Sequence, residues 1–225
     1  MYDGAESPCT QTFGLGLFDR IKPDELDRIE QFFFERNAPV WHEVSPMAEP
    51  GTLELLNYRH YIPMELSSVL CCDIKLSLAD LTRRSSQITT RVIARDEIDL
   101  WAQTSAGGWV TEHESLADFM LGFGRVSAQC EGSYPFLAEL DGQQIATGGL
   151  FIYGDVALMA GASTLPAARN QGAQNALLYD RLEFAAKQGC TLASMAALPG
   201  SQSQVNAQKN GFQIAYTRTK WALHK

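Results

Sequence analysis

The stretch from residue 133 to 165 constrains the fold most. It reads SYPFLAEL, then Asp141-Gly142, then QQIATGGLFIY, then Gly154-Asp155, then VALMAGASTL. Asp-Gly and Gly-Asp between alternating apolar runs are hairpin signals, because both residue types enter the left-handed backbone region that two-residue turns need. Connections that short join only antiparallel neighbours. Three antiparallel strands in meander order are therefore expected. The run then meets Pro166, and a helical pattern opens in GAQNALLYDRLEFAAKQG, with Leu178, Leu182 and Ala185 inward and Gly189 at its end.

The flanking segments obey the same signals. KPDELDRIEQFFFERN reads as a helix: Pro23 fits the first turn, Asp24 and Glu25 meet the positive dipole end, Leu26, Ile29 and Phe33 share a face, and Asn37 caps the end. APVWHEVSP reads as a strand, TLELLNYRHY as a short helix ending near Tyr61, and MELSSVLCCDIKL as a strand. After LTRRSSQ, the segment ITTRVIA reads as a strand, and RDEIDLWAQTSA and ESLADFMLGFGRVSA as helices. Beyond the meander and its helix, CTLASMA is a strand, SQSQVNAQKN a short helix capped by Gly211, and FQIAYTRTKWAL a closing strand. Residues 23–70 and 174–223 thus run in one order: helix, strand, Pro-Gly, helix, aromatic residue, strand. Pro50-Gly51 matches Pro199-Gly200, and Tyr61 matches Phe212. A tandem arrangement is expected, with domains over residues 1–82 and 83–225 and only half a unit in the first.

Charge narrows the partners. The net charge of −8 argues against a general nucleic-acid binder. From Pro166 onward there are seven Lys/Arg and two acids, so this tail is near +5 and the rest near −13. A basic segment on an acidic chain suits either an anionic ligand or a solvated basic face. The first residues carry neither a basic nor an apolar leader region, and no apolar run approaches a membrane span of about 18 residues. The five cysteines, at 9, 71, 72, 130 and 190, form no C-x-x-C pair and read as reduced thiols. A cytoplasmic protein without membrane contact is expected. His42, His60, His113 and His224 show no metal spacing.

The polar stretch between meander and helix carries the chemistry. It reads Arg169-Asn170-Gln171-Gly172-Ala173-Gln174. A dinucleotide fingerprint needs three glycines in a parallel β-α-β unit, and a P-loop needs Gly-Lys-Ser/Thr; both are absent. What remains is a strand end, R-x-x-G and a helix. The first N–H groups of a helix lack internal partners and carry partial positive charge, so they attract an anion. Gly172 admits close approach and Arg169 adds a charged fork. A plain turn glycine opening a helix accounts for the same residues.

The order of elements favours the anion site. Strand, two helices, meander, R-x-x-G loop, helix, strand, Pro-Gly, short helix and KNGFQ before a last strand resembles the GNAT superfamily of acyl-CoA-dependent N-acyltransferases, over about residues 87–225. Its Q/R-x-x-G-x-G/A signature corresponds to residues 169–174 here. The N-terminal half looks like the degenerate partner found in tandem members. The resemblance implies an α+β fold, a central mixed and mostly antiparallel sheet flanked by helices. It implies acetyl-CoA as co-substrate and no metal. Backbone N–H groups from Gln171, Gly172, Ala173, Gln174 and Asn175 would hold the pyrophosphate, beside Arg169 and Asn170. The strand from Ala160 to Leu165, with Ser163, Thr164 and Leu165 at its end, would pair its backbone with the pantetheine amides, Gly161 would mark the splay of two strands, and Asn206 would bond the pantetheine arm. Gln174 stands where the family has Gly or Ala. Ala207 stands where many members have a tyrosine that protonates the leaving thiolate.

The implied reaction is direct attack of an amine on the thioester, with a base or water chain to take the proton and a backbone N–H near Ala160 to meet the developing oxyanion. Glu112, His113, Glu114 and Glu139 are candidate bases and Ser203 a candidate proton donor; each is also an ordinary solvated or capping residue. Cys190 carries less weight as a nucleophile, since it opens a buried strand with no nearby histidine in sequence. Trp101, Trp109, Phe119 and Phe123 are core residues or an apolar acceptor wall. The acceptor is a small-molecule or peptide amine, and the protein a monomer or homodimer. The alternative, motivated by Ala207, is a non-catalytic acyl-CoA-binding or regulatory module. The matching N-terminal loop, FDRIKPDEL, lacks the glycine and carries Pro23, Asp24 and Glu25, so it is expected to be structural or to shape the acceptor pocket.

Overall fold

The computed structural model describes residues 1–80, 87–110 and 117–224. In chain order the first elements are β1 (Thr12–Phe13), α1 (Pro23–Phe34), β2 (Trp41–Val44), α2 (Pro50–Tyr58), β3 (Tyr61–Asp73) and α3 (Ile74–Asp80). There follow β4 (Ile88–Val92), α4 (Ile98–Trp109), α5 (Ala117–Ser127), β5 (Ser133–Leu140), β6 (Gln143–Tyr153) and β7 (Val156–Thr164). The last are α6 (Ala173–Lys187), β8 (Leu192–Ala197), α7 (Gln202–Lys209) and β9 (Gln213–Leu223).

Local chemistry explains the boundaries. Asp141 and Gly142 both have positive φ, +51° and +76°, as the tight β5–β6 turn demands. The Glu25 carboxylate accepts from the Lys22 N–H at 2.9 Å and so caps α1. At its other end Asn37 is left-handed, φ +51°, and the Ala38 N–H returns to Phe33 O. Two features depart from the sequence reading. β1 is only two residues and carries no periodicity. The strand expected through Leu76 stops at Asp73, whose carboxylate accepts from the Leu76 N–H at 2.9 Å and starts α3.

The chain divides into two compact units. One holds Met1–Leu70, Ala196–Val205 and Ile214–Lys225; the other holds Cys71–Met195 and Asn206–Gln213. The sequence reading put its boundary at 82/83 and kept the closing strand with the second half. The difference has a cause: β9 pairs antiparallel with β2 from Trp41–Ala222 to Val44–Thr219, which carries it into the first unit.

In the first unit the strands run β1-β2-β9-β3, over a core of Leu15, Leu26, Phe33, Val40, Val44, Leu56 and Tyr61. A polar chain crosses this core. His42, fully buried, shares a 2.7 Å hydrogen bond between Nδ1 and Thr12 Oγ1. Its ring lies 4.8 Å from that of Tyr61, whose hydroxyl donates to Glu30 at 3.1 Å. Burial lowers the His42 pKa to about 4, so the imidazole is neutral at pH 7.

In the second unit the strands run β8-β7-β6-β5-β4, antiparallel except for parallel β7–β8. Leu137 packs with Trp101 and Ala102 of α4, while Tyr134 and Phe136 meet Phe184 of α6. Neighbouring strand residues point to opposite faces, so α4 and α6 cover opposite sides of this sheet. The architecture is α+β, a mixed and mostly antiparallel sheet flanked by helices.

Candidate functional site

The site grows from the middle of β7. Its parallel ladder with β8 runs through Val156–Leu192, Ala157–Ala193 and Leu158–Ser194 and then stops, although β7 continues to Thr164. On its other side β7 pairs with β6, but the register slips between Gly149–Ala160 and Thr147–Ser163. Three steps of β7 oppose two of β6, which is a β-bulge. Gly161 sits in it with φ +60°, a conformation that glycine adopts without penalty. The bulge thus falls in the part of β7 beyond its ladder with β8.

The end of β7 is anchored by α4. A Cβ on Gly108 would lie 1.9 Å from Ser163 Oγ and 3.0 Å from the Thr164 backbone; one on Gly107 would lie 2.9 Å from Leu165 Cδ2. Only glycine lets helix and strand approach this closely. The Ser163 hydroxyl donates to Ser105 O at 2.7 Å, and the Leu165 N–H donates to Ile145 O at 2.9 Å. The side chain of Ser163 is therefore committed to the scaffold.

The loop that follows holds Asn170 at φ +64° and Gly172 at φ +89°, both left-handed. Gly172 is the N-cap of α6. The first helical bond runs from the Ala176 N–H to Gly172 O, so N–H groups ahead of it have no carbonyl one turn back. The first turn of α6 carries no acid, whereas that of α1 carries Asp24 and Glu25 behind Pro23. The Gln174 side chain turns back toward β7: its Nε2 donates to Ser163 O at 2.8 Å and Thr164 Oγ1 at 2.9 Å. A bulky residue in the family's Gly/Ala slot thus acts as a brace for the loop. Arg169 Nη2 donates to Gly108 O at 2.9 Å, a cation against a helix C-terminus. Asn175 Nδ2 donates to Asn210 Oδ1 at 3.3 Å, and Asn210 Nδ2 donates to Asn206 O at 2.7 Å.

The other expected residues fall elsewhere. Glu139 lies on β5 opposite Gln144, beside the β5–β6 turn, and Arg91 Nη2 holds its carboxylate at 3.0 Å. Arg91 also grips Glu97 at 2.6 Å, which holds the Glu97 carboxyl at a pKa of about 2. Ser203 is exposed on α7, in the first unit. Ala207 is buried, at 2% exposure. Glu112, His113 and Glu114 lie outside the described residues. Cys190 is buried, and burial raises its thiol pKa.

One residue at this site escaped the sequence reading. Arg181 of α6 is 2% exposed, and its Nη1 donates to Gly149 O at 2.8 Å. The available signal was a charge inside the apolar face formed by Leu177, Leu178, Leu182 and Ala185.

A bulged strand that leaves its parallel partner midway and runs into a glycine-capped helix departs from the parallel β-α-β unit of a dinucleotide-binding fold. The family model described as Acetyltransferase (GNAT) family matches residues 98–212, and the chain belongs to that family. Solved structures share the fold. A GCN5-related N-acetyltransferase from Kribbella flavida superposes with a TM-score of 0.65 at 20% identity, over 90% of this chain and 75% of that one. A tandem GNAT protein from the clavulanic acid biosynthesis pathway gives 0.65 at 14% identity, over 90% and 70%. A GCN5-related N-acetyltransferase from Sphaerobacter thermophilus gives 0.66 at 12% identity, over 89% and 67%. No protein of curated function matches the chain in sequence.

Proposed function

We propose that this protein transfers an acyl group, acetyl in the first instance, from acyl-CoA to a primary amine. The observation that carries the reading is the continuity of β7 with the loop. The strand loses β8 after Leu158, bulges at Gly161, and leads directly into the left-handed Gly172 and the N-terminus of α6. Residues Gln171 to Asn175 offer backbone N–H groups and the helix dipole to a pyrophosphate. The open edge of β7 offers a strand's hydrogen-bonding pattern to an extended amide-bearing arm. The absence of acid in the first turn of α6 fits an anion there.

A bound acyl-CoA supplies a thioester carbon: the amine nitrogen forms a C–N bond, the C–S bond breaks, the electron pair leaves on sulfur, and the amine gives up a proton. The chain positions these groups and meets charge. The Gly161 N–H, opposite to the Ala160 C=O, would meet the oxygen on which negative charge develops. Proton removal needs a base or a water chain other than Glu139, which Arg91 binds, and thiolate protonation needs a donor other than Ala207, which stands at the usual acid position. The buried Ala207 also favours the second reading, a binding module without turnover.

The N-terminal unit is proposed as a structural half-repeat. It repeats the order helix, strand, helix, strand in α1, β2, α2 and β3, as do α6, β8, α7 and β9. Its loop carries Pro23, Asp24 and Glu25, so a single acyl-CoA site per chain is expected. Calorimetric titration with acetyl-CoA, followed by thiol-release assays against a panel of small amines and peptides, tests the proposal. One site with turnover on an amine supports it. Binding without turnover on any acceptor favours the module. No binding overturns both.

A further inference from the structure

We infer that Arg181 is a positioning residue that fixes and polarises the Ala160–Gly161 peptide, so that its N–H is aimed as the oxyanion donor. The inference rests on the acyl-transfer reading above for its consequence, and on the fold alone for its geometry.

The arginine stands where a leucine would be expected. It is 2% exposed, on the apolar face of α6, and burial alone lowers its pKa to about 10, so it stays charged at pH 7. No carboxylate among the described residues forms an ion pair with it. An unpaired buried charge is costly, and replacing it with a hydrocarbon of similar volume is often neutral or stabilising. A packing role therefore does not explain it. Its bonds do: Nη1 donates to Gly149 O at 2.8 Å and to Ala160 O at 3.4 Å, while Nε donates to Leu177 O at 3.1 Å. Gly149 and Ala160 are the last register pair before the bulge. The sequence makes room for the guanidinium at Gly148, where a Cβ would lie 2.8 Å from Arg181 Cζ.

The consequence follows from peptide planarity. The Ala160–Gly161 peptide is trans, as is every peptide bond among the described residues, so the Gly161 N–H points opposite to the Ala160 C=O. Arg181 draws that carbonyl toward β6 and α6. The Gly161 N–H is thereby turned toward the other edge of β7, where the ladder with β8 has ended. A cation on the carbonyl oxygen also draws electron density from the same amide, which makes its N–H a stronger donor. A left-handed glycine at a bulge is otherwise free to rotate this peptide.

The test compares the intact protein with Arg181→Met, Arg181→Lys and Gly148→Ala. The last keeps the arginine but displaces its guanidinium. In ¹H–¹⁵N spectra recorded without ligand, the Gly161 amide proton is expected to move upfield in all three, farthest in Arg181→Met. Deleting one oxyanion donor costs about 10²–10³ in kcat. Misaiming one is expected to cost about 10–10², with the KM for acetyl-CoA unchanged and the lysine variant intermediate. A Gly161 shift that stays in place in any folded variant overturns the inference. So does a loss that appears in KM or in the unfolding midpoint while kcat holds. Should both arginine variants fail to fold, Gly148→Ala decides. If wild-type protein binds acetyl-CoA but releases no thiol with any amine, the acyl-transfer reading fails, and the Gly161 shift still decides on Arg181.

Discussion

The same chemical change, Gly→Ala, should have opposite signs at two helical positions 14 residues apart. At Gly108 the new methyl would lie 1.9 Å from Ser163 Oγ and 3.0 Å from the Thr164 backbone. Strand backbone cannot yield, so α4 must lift from β7 by roughly 1 Å or more, about the shortfall from normal contact. Overpacking of this kind costs about 1–3 kcal/mol. Lifting also breaks the Ser163–Ser105 hydrogen bond, worth about 1 kcal/mol, and loosens Arg169 from Gly108 O. The better helix propensity of alanine returns up to about 1 kcal/mol. The net loss is about 1–3 kcal/mol. With a urea slope near 2 kcal/mol/M, the unfolding midpoint falls by about 0.5–1.5 M. At Gly122 of α5 nothing lies within 4 Å of the added methyl. Only the backbone gain remains, and the midpoint rises by up to about 0.5 M. Acetyl-CoA affinity should weaken in Gly108→Ala and hold in Gly122→Ala, because only the first disturbs the strand and loop of the site. Equal signs in the two variants, or a Gly108→Ala protein as stable as wild type, would refute the claim that close helix–strand contact shapes this site.

Three further outcomes follow. His42 has a folded pKa of about 4, below its unfolded value of 6.5. Its neutral form therefore contributes stability in full above pH 6.5, and about 3 kcal/mol of it should be lost between pH 6.5 and 4. Urea midpoints across that range, compared with His42→Asn, check this, and equal slopes in the two proteins would count against it. Gly172→Ala places a side chain at φ +89°, which costs about 1–2 kcal/mol. On the proposed reading, in which this loop holds the pyrophosphate, the acetyl-CoA Kd by calorimetry should rise roughly tenfold. Glu139→Gln removes one arm of the Arg91 ion pair. It should cost up to about 1 kcal/mol in thermal stability and leave turnover unchanged; a large fall in kcat would make Glu139 the base.

The fold was legible wherever local chemistry and tertiary packing agree. Asp141-Gly142 and Gly154-Asp155 announce the meander through the backbone conformations they permit. The run from Leu178 to Ala185 announces α6 through its spacing. What was not legible is set by partners distant in sequence. β9 belongs with β2 because four residue pairs, Trp41–Ala222 to Val44–Thr219, join segments almost the whole chain apart. The start of α3 depends on one carboxylate, Asp73, in a run whose apolar pattern suits a strand equally well.

The same distinction governs the site. The R-x-x-G loop could be found because the role proposed for it belongs to main chain, and main-chain geometry writes itself into sequence as glycine and polar caps. Its side chains gave less. Ser163 and Gln174 were expected to meet a ligand through their backbone, and their side chains, with that of Arg169, brace α4, β7 and the loop against one another. Arg181 was passed over because a charge on an apolar helix face reads as an edge residue. Its meaning appears only beside Gly148, Gly149 and Ala160, which lie 21 to 33 residues away. A site built from backbone donors needs few reactive side chains. It needs instead groups that hold the backbone in place, and those resemble core residues until their hydrogen bonds are traced.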